Sequence, residues 1–331
     1  METRKVQRTG KSTYIVSLPK AWTKKNDIKA GSLLYITQSD NGALVLSADR
    51  SEPDLSIRLQ IDNKADKPLI RDLIGCYIAG YRTIEVSSKH MTQSQKKDIH
   101  SIVQKLIGPE ILEETGSKVV IQDLLNSVEL QAEKALRRIK TIVRSMIQDS
   151  IEALLKSDRE LAEDVIQRDD DVDRIYLLIL RQFTGILRSG SVKQETLDPI
   201  TVFNYMQAAY NLERMADHAL RIAEQILKCD SPIPKEMVDE ISRMEPLFLD
   251  LVDESITSLI QLNSEKANEI IEQSAEIRSQ SSQIPSSFGI NERSETQIRL
   301  VISSIERMLD YIKNIGELTI NLSQARIGED Q

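Results

Sequence analysis

The sequence predicts a chain of several domains with an α+β fold that is mostly α-helical. Three observations lead to this prediction: a β-rich segment within residues 1–50, alternating strand-like and helix-like runs in 51–123, and a helical pattern in 124–325. The chain has 331 residues and is long enough to bury more than one core, because single domains usually contain roughly 100 to 200 residues. We therefore expect three domains with these boundaries.

The first 50 residues are predicted to form a strand, a short helix and a hairpin. The run Ser12–Leu18 is rich in β-branched residues and ends at Pro19, which cannot donate a hydrogen bond to a sheet. A short helix is expected at Lys20–Lys25. The runs Leu33–Thr37 and Ala43–Leu46 flank an Asn-Gly pair, and such a pair between two apolar runs is a strong hairpin signal.

The charge of the chain is distributed unevenly. Residues 1–50 contain nine Lys or Arg and four acids, a net charge of +5, whereas the whole chain carries −8 and the remainder −13. This asymmetry is typical of a basic partner-binding end on an acidic body. The candidate DNA-binding residues around the Thr9-Gly10 break are Arg4, Lys5, Arg8 and Lys11. These side chains could neutralise DNA phosphates or reach base edges. The alternative is that they belong to a solvated N-terminal arm that binds nothing.

Several classes of protein are excluded by the composition. No run approaches the roughly 18 apolar residues that span a bilayer, and no apolar signal region follows the start, so we expect a cytoplasmic protein without membrane insertion. Cys76 and Cys229 lie outside any CxxC spacing and are expected to be reduced and buried. With three histidines and no nucleophile arrangement, no enzyme is expected. Gly10-Lys11-Ser12 resembles the end of the Gly-x-x-x-x-Gly-Lys-Ser/Thr motif of phosphate-binding loops. The first glycine of that motif would fall at Lys5, so such a loop is excluded.

The segment 51–123 is predicted to be a small α+β subdomain in which two helices cover a sheet. Its strand-like and helix-like runs are Leu55–Ile61, Leu69–Tyr81, Thr83–Val86, Gln93–Leu106 and Val119–Ile121. His90 and His100 lack partners at metal-ligand spacing, so they are expected to be solvated or packed.

From residue 124 onward apolar residues recur near the helical period, and an internal repeat is present. Adding 105 maps the apolar stripe of Ile139–Leu154 onto Met244–Leu259, and adding 93 maps Asn211–Asp217 onto Ser304–Asp310. The copies share Glu-Arg-Met-x-Asp, which periodicity alone does not explain. The two copies are about 124–228 and 233–325.

Pairs of acids at i and i+4 share one face of a helix, and three such pairs occur in this region. The candidate metal ligands are Asp169, Asp173, Glu213, Asp217, Glu306 and Asp310, with Glu224 and Glu317 continuing the same faces. If the helices pack side by side, carboxylates converge and a cation would neutralise them. A solvated acidic face is the alternative. His218 lacks the Glu-x-x-His spacing of di-iron bundles.

Two family resemblances follow from these motifs. Arg4–Ser12, Val16–Trp22 with its Leu-Pro-Lys-x-Trp element, and Ile28–Gly31 resemble the AbrB/SpoVT family, especially its archaeal branch. This resemblance covers about residues 3–48 and implies a swapped-hairpin β-barrel dimer that binds DNA through the basic N-terminal residues. The segment from Leu124 to Leu322 resembles PhoU, a family of two three-helix bundles that regulates phosphate uptake.

The PhoU resemblance implies metal clusters on the Glu/Asp-x-x-x-Asp pairs, with iron, zinc or another divalent cation as cofactor. Asn314 and Glu317 match the Asn-Ile-x-Glu continuation of the family motif. The chain departs from the motif where Ser274 and Arg278 replace the first acid pair in the second bundle. A smaller departure is Arg221, which stands at the position of Asn314 in the first bundle.

The sequence thus favours a phosphate-responsive transcriptional regulator that controls phosphate uptake genes. Its expected partners are DNA and a second copy of the chain. One alternative is a signalling adaptor that inhibits a phosphate ABC transporter through its ATPase or another signalling partner, and another is a carboxylate-metal binding protein. The basic N-terminal segment favours the transcriptional regulator over the adaptor, and the scarcity of histidines counts against the metal-binding protein.

Overall fold

The structure is a computed structural model that describes residues 2–38, 42–48, 55–62, 64–125, 132–189, 199–228, 234–281 and 292–327. The chain divides into two compact units, one within residues 1–54 and one that starts at Leu55. None of the described helices is long and apolar enough to cross a membrane.

The N-terminal unit contains two antiparallel strand pairs and a short helix. The elements are β1 (Gln7–Thr9), β2 (Thr13–Ile15), α1 (Lys20–Lys25), β3 (Tyr35–Gln38) and β4 (Leu44–Ser47). β1 pairs with β2, and β3 pairs with β4. The predicted strand, helix and hairpin are present, although Asn41 of the predicted turn lies outside the described residues. Strand β1 was not predicted, because its residues Gln-Arg-Thr do not show the alternation of apolar and polar residues that is typical of a strand.

The N-terminal unit has no buried core among the residues whose side chains are described. Large apolar side chains are open to solvent instead, and Leu33 is 81% exposed, Tyr14 69% and Leu44 67%. The described residues of this one chain form separate hairpins and no closed barrel. The predicted barrel therefore does not form within a single chain, because two short hairpins leave too little surface to close on itself.

The second unit begins with the predicted α+β subdomain. Its elements are β5 (Ser56–Gln60), α2 (Asp66–Ile78), β6 (Thr83–Ser87), α3 (Gln93–Gln104), β7 (Pro109–Glu114) and β8 (Lys118–Asp123). The sheet order is β5-β6-β8-β7, with β5 parallel to β6 and the other pairs antiparallel. Strand β7 is an addition to the prediction, because its proline and acidic residues are unusual in strands. Cys76 is a buried thiol here, and Cys229 lies outside the described residues.

Six long helices follow in the described ranges from residue 132 onward, and they share one hydrophobic core. They are α4 (Ala132–Lys156), α5 (Arg159–Ser189), α6 (Pro199–Lys228), α7 (Lys235–Gln261), α8 (Ser264–Ser281) and α9 (Glu292–Ile327). The apolar stripes found in the sequence form this core, since Ile139, Met146, Phe248 and Ile256 are all buried. The helices thus form two consecutive groups of three, as the repeat predicts.

Helices α6 and α9 run antiparallel along a seam between the two groups. The side chain of Arg326 donates to Thr201 Oγ1 at 2.8 Å, and Gln297 donates to the Lys228 carbonyl at 2.9 Å. As residue numbers increase along α6, the residues that they contact on α9 therefore have decreasing numbers. Near the middle of the seam Asn314 donates to Asn211 Oδ1 at 3.1 Å.

Helix α5 joins the bundles to the α+β subdomain through a largely buried ion pair. Arg181 Nη2 lies 2.6 Å from Asp123 Oδ2, and the two side chains are 11% and 10% exposed. Arg181 also donates to the carbonyls of Tyr77 and Tyr81, and its guanidinium lies over the Tyr77 ring. Asp170, which lies between Asp169 and Asp173 on α5, accepts from Lys105 Nζ of the subdomain at 2.7 Å.

Candidate functional site

Helices α5 and α6 bring the two acid pairs of the first bundle to the same region. Asp169 and Asp173 lie one turn apart on α5, and Glu213 and Asp217 lie one turn apart on α6. Glu213 is buried, Asp169 and Asp217 are half-buried, and Asp173 keeps contact with solvent. The structure therefore places these four predicted ligands within electrostatic reach of one another.

The crowding of carboxylates changes their acidity. Loss of hydration and then repulsion from Asp217 raise the pKa of Asp169 to about 6. Loss of hydration and then repulsion from Asp169 raise the pKa of Asp173 to about 6. Partial burial also raises the pKa of Glu213. A bound cation would relieve this repulsion, and a set of carboxylate oxygens suits hard cations.

The guanidinium of Arg214 neutralises part of the cluster. It contacts both carboxylate oxygens of Glu213, and its Nη1 lies 2.8 Å from Asp217 Oδ2. It also lies over the ring of Tyr210. In the part of the chain that the structure describes, no three His, Cys, Asp or Glu side chains are arranged to hold a metal ion. The chemistry of the four carboxylates suits a hard cation, but Arg214 occupies Glu213 and Asp217 in this structure.

The second bundle has a different arrangement at the corresponding place. Arg278 on α8 pairs with Asp310 on α9, and Arg307 lies 3.6 Å from the same carboxylate. Ser274, at the position that corresponds to Asp169, is buried, and its hydroxyl has no hydrogen-bond partner among the residues that the structure describes. Arg278 thus lies where a ligand would be needed, next to one of the two remaining acids.

The three weaker ligand candidates have partners away from the acid pairs. Glu224 pairs with Lys228 at 3.0 Å, and Glu317 pairs with Lys313 at 3.5 Å. Asn314 donates to Asn211 across the seam. These contacts give each residue a local structural role on its own helix or on the seam.

The predicted DNA-binding residues all lie in the N-terminal unit and are exposed. Arg4 pairs with Glu2, whereas Arg8 donates to the Lys11 carbonyl. Arg8 belongs to strand β1 and is opposite Tyr14 of β2. Arg8 thus lies within a strand that the sequence did not predict, because the Gly10 turn, with φ of 69°, folds β1 back onto β2.

Sequence reasoning missed two residues that the structure places at these helices. Arg214 forms ion pairs with two acids of the cluster. The sequence could have indicated this residue, because the repeated Glu-Arg-Met-x-Asp motif has Arg307 at the equivalent position. His218 is 7% exposed, and its ring contacts that of Tyr311 with centroids 5.9 Å apart. The sequence gives no sign of that contact, since it depends on the register of α6 against α9.

Comparison with known protein families finds a match in each of the two units. The family described as "PhoU domain" matches residues 136–226 and 241–319. The family described as "Antidote-toxin recognition MazE, bacterial antitoxin" matches residues 7–54. The first match falls on helices α4 to α9, and the second covers the strands and helix of the N-terminal unit.

Individual relatives match the helical part. A phosphate-specific transport system accessory protein PhoU homolog from Clostridium acetobutylicum is 28% identical over 204 residues, which are 59% of this chain and 90% of that protein. A homolog of the same name from Aquifex aeolicus is 31% identical over 150 residues, 45% of this chain and 66% of that protein. The crystal structure of PhoU from Pseudomonas aeruginosa shares the fold, with a TM-score of 0.52, 18% identity and coverage of 59% of this chain and 96% of that one.

Proposed function

Because the chain belongs to the PhoU family, we propose that it is a phosphate-responsive transcriptional regulator that controls phosphate uptake genes. The observation that carries this proposal is the union, in one chain, of a MazE-like segment at residues 7–54 with two PhoU repeats. The N-terminal unit would bind DNA as a homodimer, and the helical domain would sense phosphate status.

The missing core of the N-terminal unit supports the homodimer. Exposed Leu33, Ile36 and Leu44 make the hairpins unfavourable in water unless another surface covers them. The same hairpin surface on a second copy offers matching apolar residues and unpaired strand edges. A barrel with swapped hairpins would cover the apolar side chains and pair the free strand edges.

The charge of the N-terminal unit supports DNA as the ligand. Residues 1–50 carry a net +5 on an otherwise acidic chain. Arg4 and Lys5 precede β1, whereas Arg8 lies in β1 and Lys11 in the β1–β2 turn; all four are exposed, and a dimer would present them twice. Binding to phosphates releases counterions, so the affinity would depend strongly on salt.

The crowding of Asp169, Asp173, Glu213 and Asp217 supports a sensing role for the first bundle. These residues would hold iron, zinc or another divalent cation, which would supply positive charge between α5 and α6. Arg214 would then leave Glu213 and Asp217. A cation that draws α5 toward α6 would also act on the α+β subdomain, since Arg181 and Asp170 of α5 hold that subdomain.

The names of the relatives favour a second candidate function. They are accessory proteins of phosphate-specific transport systems, and this chain would by analogy be an adaptor that inhibits a phosphate ABC transporter. In that case the N-terminal unit would serve mainly for dimerisation. A carboxylate-metal binding protein is a third candidate, which the acid cluster alone supports.

Footprinting on the protein's own genome, with and without phosphate, tests the proposal. Discrete sites at phosphate uptake genes whose occupancy changes with phosphate are expected. Arg8→Ala with Lys11→Ala should weaken binding of purified protein to such a site and flatten its salt dependence by roughly 0.9 per lost phosphate contact. The control changes Lys134 and Arg138, which are exposed cations on α4, to alanine. Equal weakening by both double variants, or no phosphate-dependent sites, would favour the adaptor.

A further inference from the structure

A second charged region lies on the α6–α9 seam and takes no part in the carboxylate cluster. The rings of His218 and Tyr311 contact each other there, with an interplanar angle of 42°. Arg221 lies three residues after His218, and Arg307 lies four residues before Tyr311, so each arginine shares a helix face with its ring. Because α6 and α9 are antiparallel, both arginines lie at the same end of the ring pair, and the bond to Asn314 lies at the other.

The surroundings of His218 are electropositive. Burial, followed by the charges of Arg221, Arg307 and Arg214, lowers the pKa of His218 to about 4. The Nδ1 atom of His218 is buried and has no hydrogen-bond partner among the described residues. Buried polar atoms usually have a hydrogen-bond partner, and a bound ligand would supply one to this nitrogen.

Arg221 is where the chain departs from its own repeat. The corresponding residue of the second repeat is Asn314, which is neutral and donates to Asn211. Arg221 is exposed and has no hydrogen bond or ion pair in the described part of the chain. Arg307 is 64% exposed, and its ion pair with Asp310 is long, at 3.6 Å. Two guanidiniums at one end of the ring pair repel each other unless an anion lies between them.

We propose that Arg221, Arg307 and the His218 imidazole form a site for a small tetrahedral oxyanion of the phosphate class. The guanidiniums offer planar forks of donors that match such oxygens, and an imidazole donates an N–H in either protonation state. The site needs no metal on the carboxylate cluster. The choice of inorganic phosphate as its natural occupant rests on the proposed function, whereas oxyanion binding itself does not.

Calorimetric titration of the full chain with inorganic phosphate, in chelator and at fixed ionic strength, tests the site. Saturable binding is expected, and Arg221→Asn, which introduces the residue of the second repeat, should weaken it by about tenfold or more, because a charge-assisted hydrogen bond is lost. His218→Phe, which keeps a ring against Tyr311, should weaken it to a smaller degree. Arg138→Asn changes an exposed arginine of α4 and should leave the affinity unaltered.

Absence of binding at millimolar phosphate, or equal weakening by Arg138→Asn and Arg221→Asn, would overturn the site. Footprinting of the Arg221→Asn chain separates this inference from the proposed function. If phosphate still changes DNA occupancy in that variant as in the original chain, phosphate sensing resides elsewhere, and inorganic phosphate is not the natural occupant of this site. If phosphate binds through Arg221 but never changes DNA occupancy, the site stands and the proposed function fails.

Discussion

Ser157 and Leu262 both have a left-handed backbone, with φ of 53° and 55°, and lie 105 residues apart at the same turn of the two repeats. The residue after each one caps the next helix. The side chain of Asp158 accepts a backbone N–H of α5 at 3.0 Å, and that of Asn263 accepts one of α8 at 2.9 Å. The repeat is therefore preserved in backbone conformation and in capping as well as in its apolar stripe.

Ser157→Gly should stabilise the helical domain by roughly 1 kcal/mol, because a left-handed conformation strains every residue with a Cβ. Ser157 is exposed, so no packing is lost. Ser157→Val, with its β-branch, should destabilise the domain. The midpoint of thermal unfolding followed by helical circular dichroism measures both. A lower midpoint for the glycine variant would contradict the assignment of strain to this turn.

Metal content should depend on the first bundle and little on the second. Changing Asp173 and Asp217 to asparagine removes a ligand from each acid pair, and bound metal should fall strongly. Asp310→Asn should change it little, since Arg278 already neutralises that carboxylate. Elemental analysis of the purified variants measures this. Equal loss from Asp310→Asn would contradict the difference between bundles, and no metal in any form would leave the acids as a solvated face.

The paired aspartates of α5 should make the metal-free protein more stable as the pH falls. Their pKa is about 6 in the folded chain against the usual 3.8, so the folded state binds more protons between these values. Asp169→Asn with Asp173→Asn should therefore stabilise the chain at pH 7 by roughly 1 kcal/mol, a figure reduced because Asp173 is open to solvent. This gain should disappear toward pH 4. Urea unfolding with chelator at both pH values measures it, and a gain independent of pH would exclude relief of charge repulsion.

The full chain should be a dimer whose assembly requires the N-terminal hairpins. Leu33→Ser with Ile36→Ser should shift sedimentation toward the monomer without loss of helix, because these exposed side chains would lie at the interface. The control changes Leu247 and Leu300, which are exposed on the helical domain, to serine. A dimer that survives the first pair of changes and dissociates with the second would assign the interface to the helices.

The ion pair between Arg181 and Asp123 should contribute far more than a surface pair. Arg181→Met leaves Asp123 and two backbone carbonyls without their partner, and should cost roughly 3 kcal/mol. Arg137→Met is the matched control, since its pair with Glu133 is about half exposed and should cost less than about 1 kcal/mol. Urea unfolding compares them. Similar losses would mean that the junction between α5 and the α+β subdomain is weak.

Local patterns explain why much of the fold was predictable. Helix α1 was predicted at its observed bounds, and the long helices follow from apolar residues at helical spacing, which tertiary contacts reinforce. Strands β1 and β7 were missed because they are short, polar or acidic, and pairing rather than composition makes them strands. The acid pairs were found because spacing of four residues determines which side chains share a helix face.

The sequence alone determined the helical repeat, the acid pairs and the replacement of two acids by Ser274 and Arg278, because each depends on residue type and spacing along one chain. Only the tertiary structure decided that Arg214 closes the cluster, that Arg278 engages Asp310, and that His218 meets Tyr311. These contacts depend on the register and rotation of packed helices. Helical periodicity determines on which face of its helix a residue lies. The packing of the helices in the shared core determines which residues of a neighbouring helix contact that face.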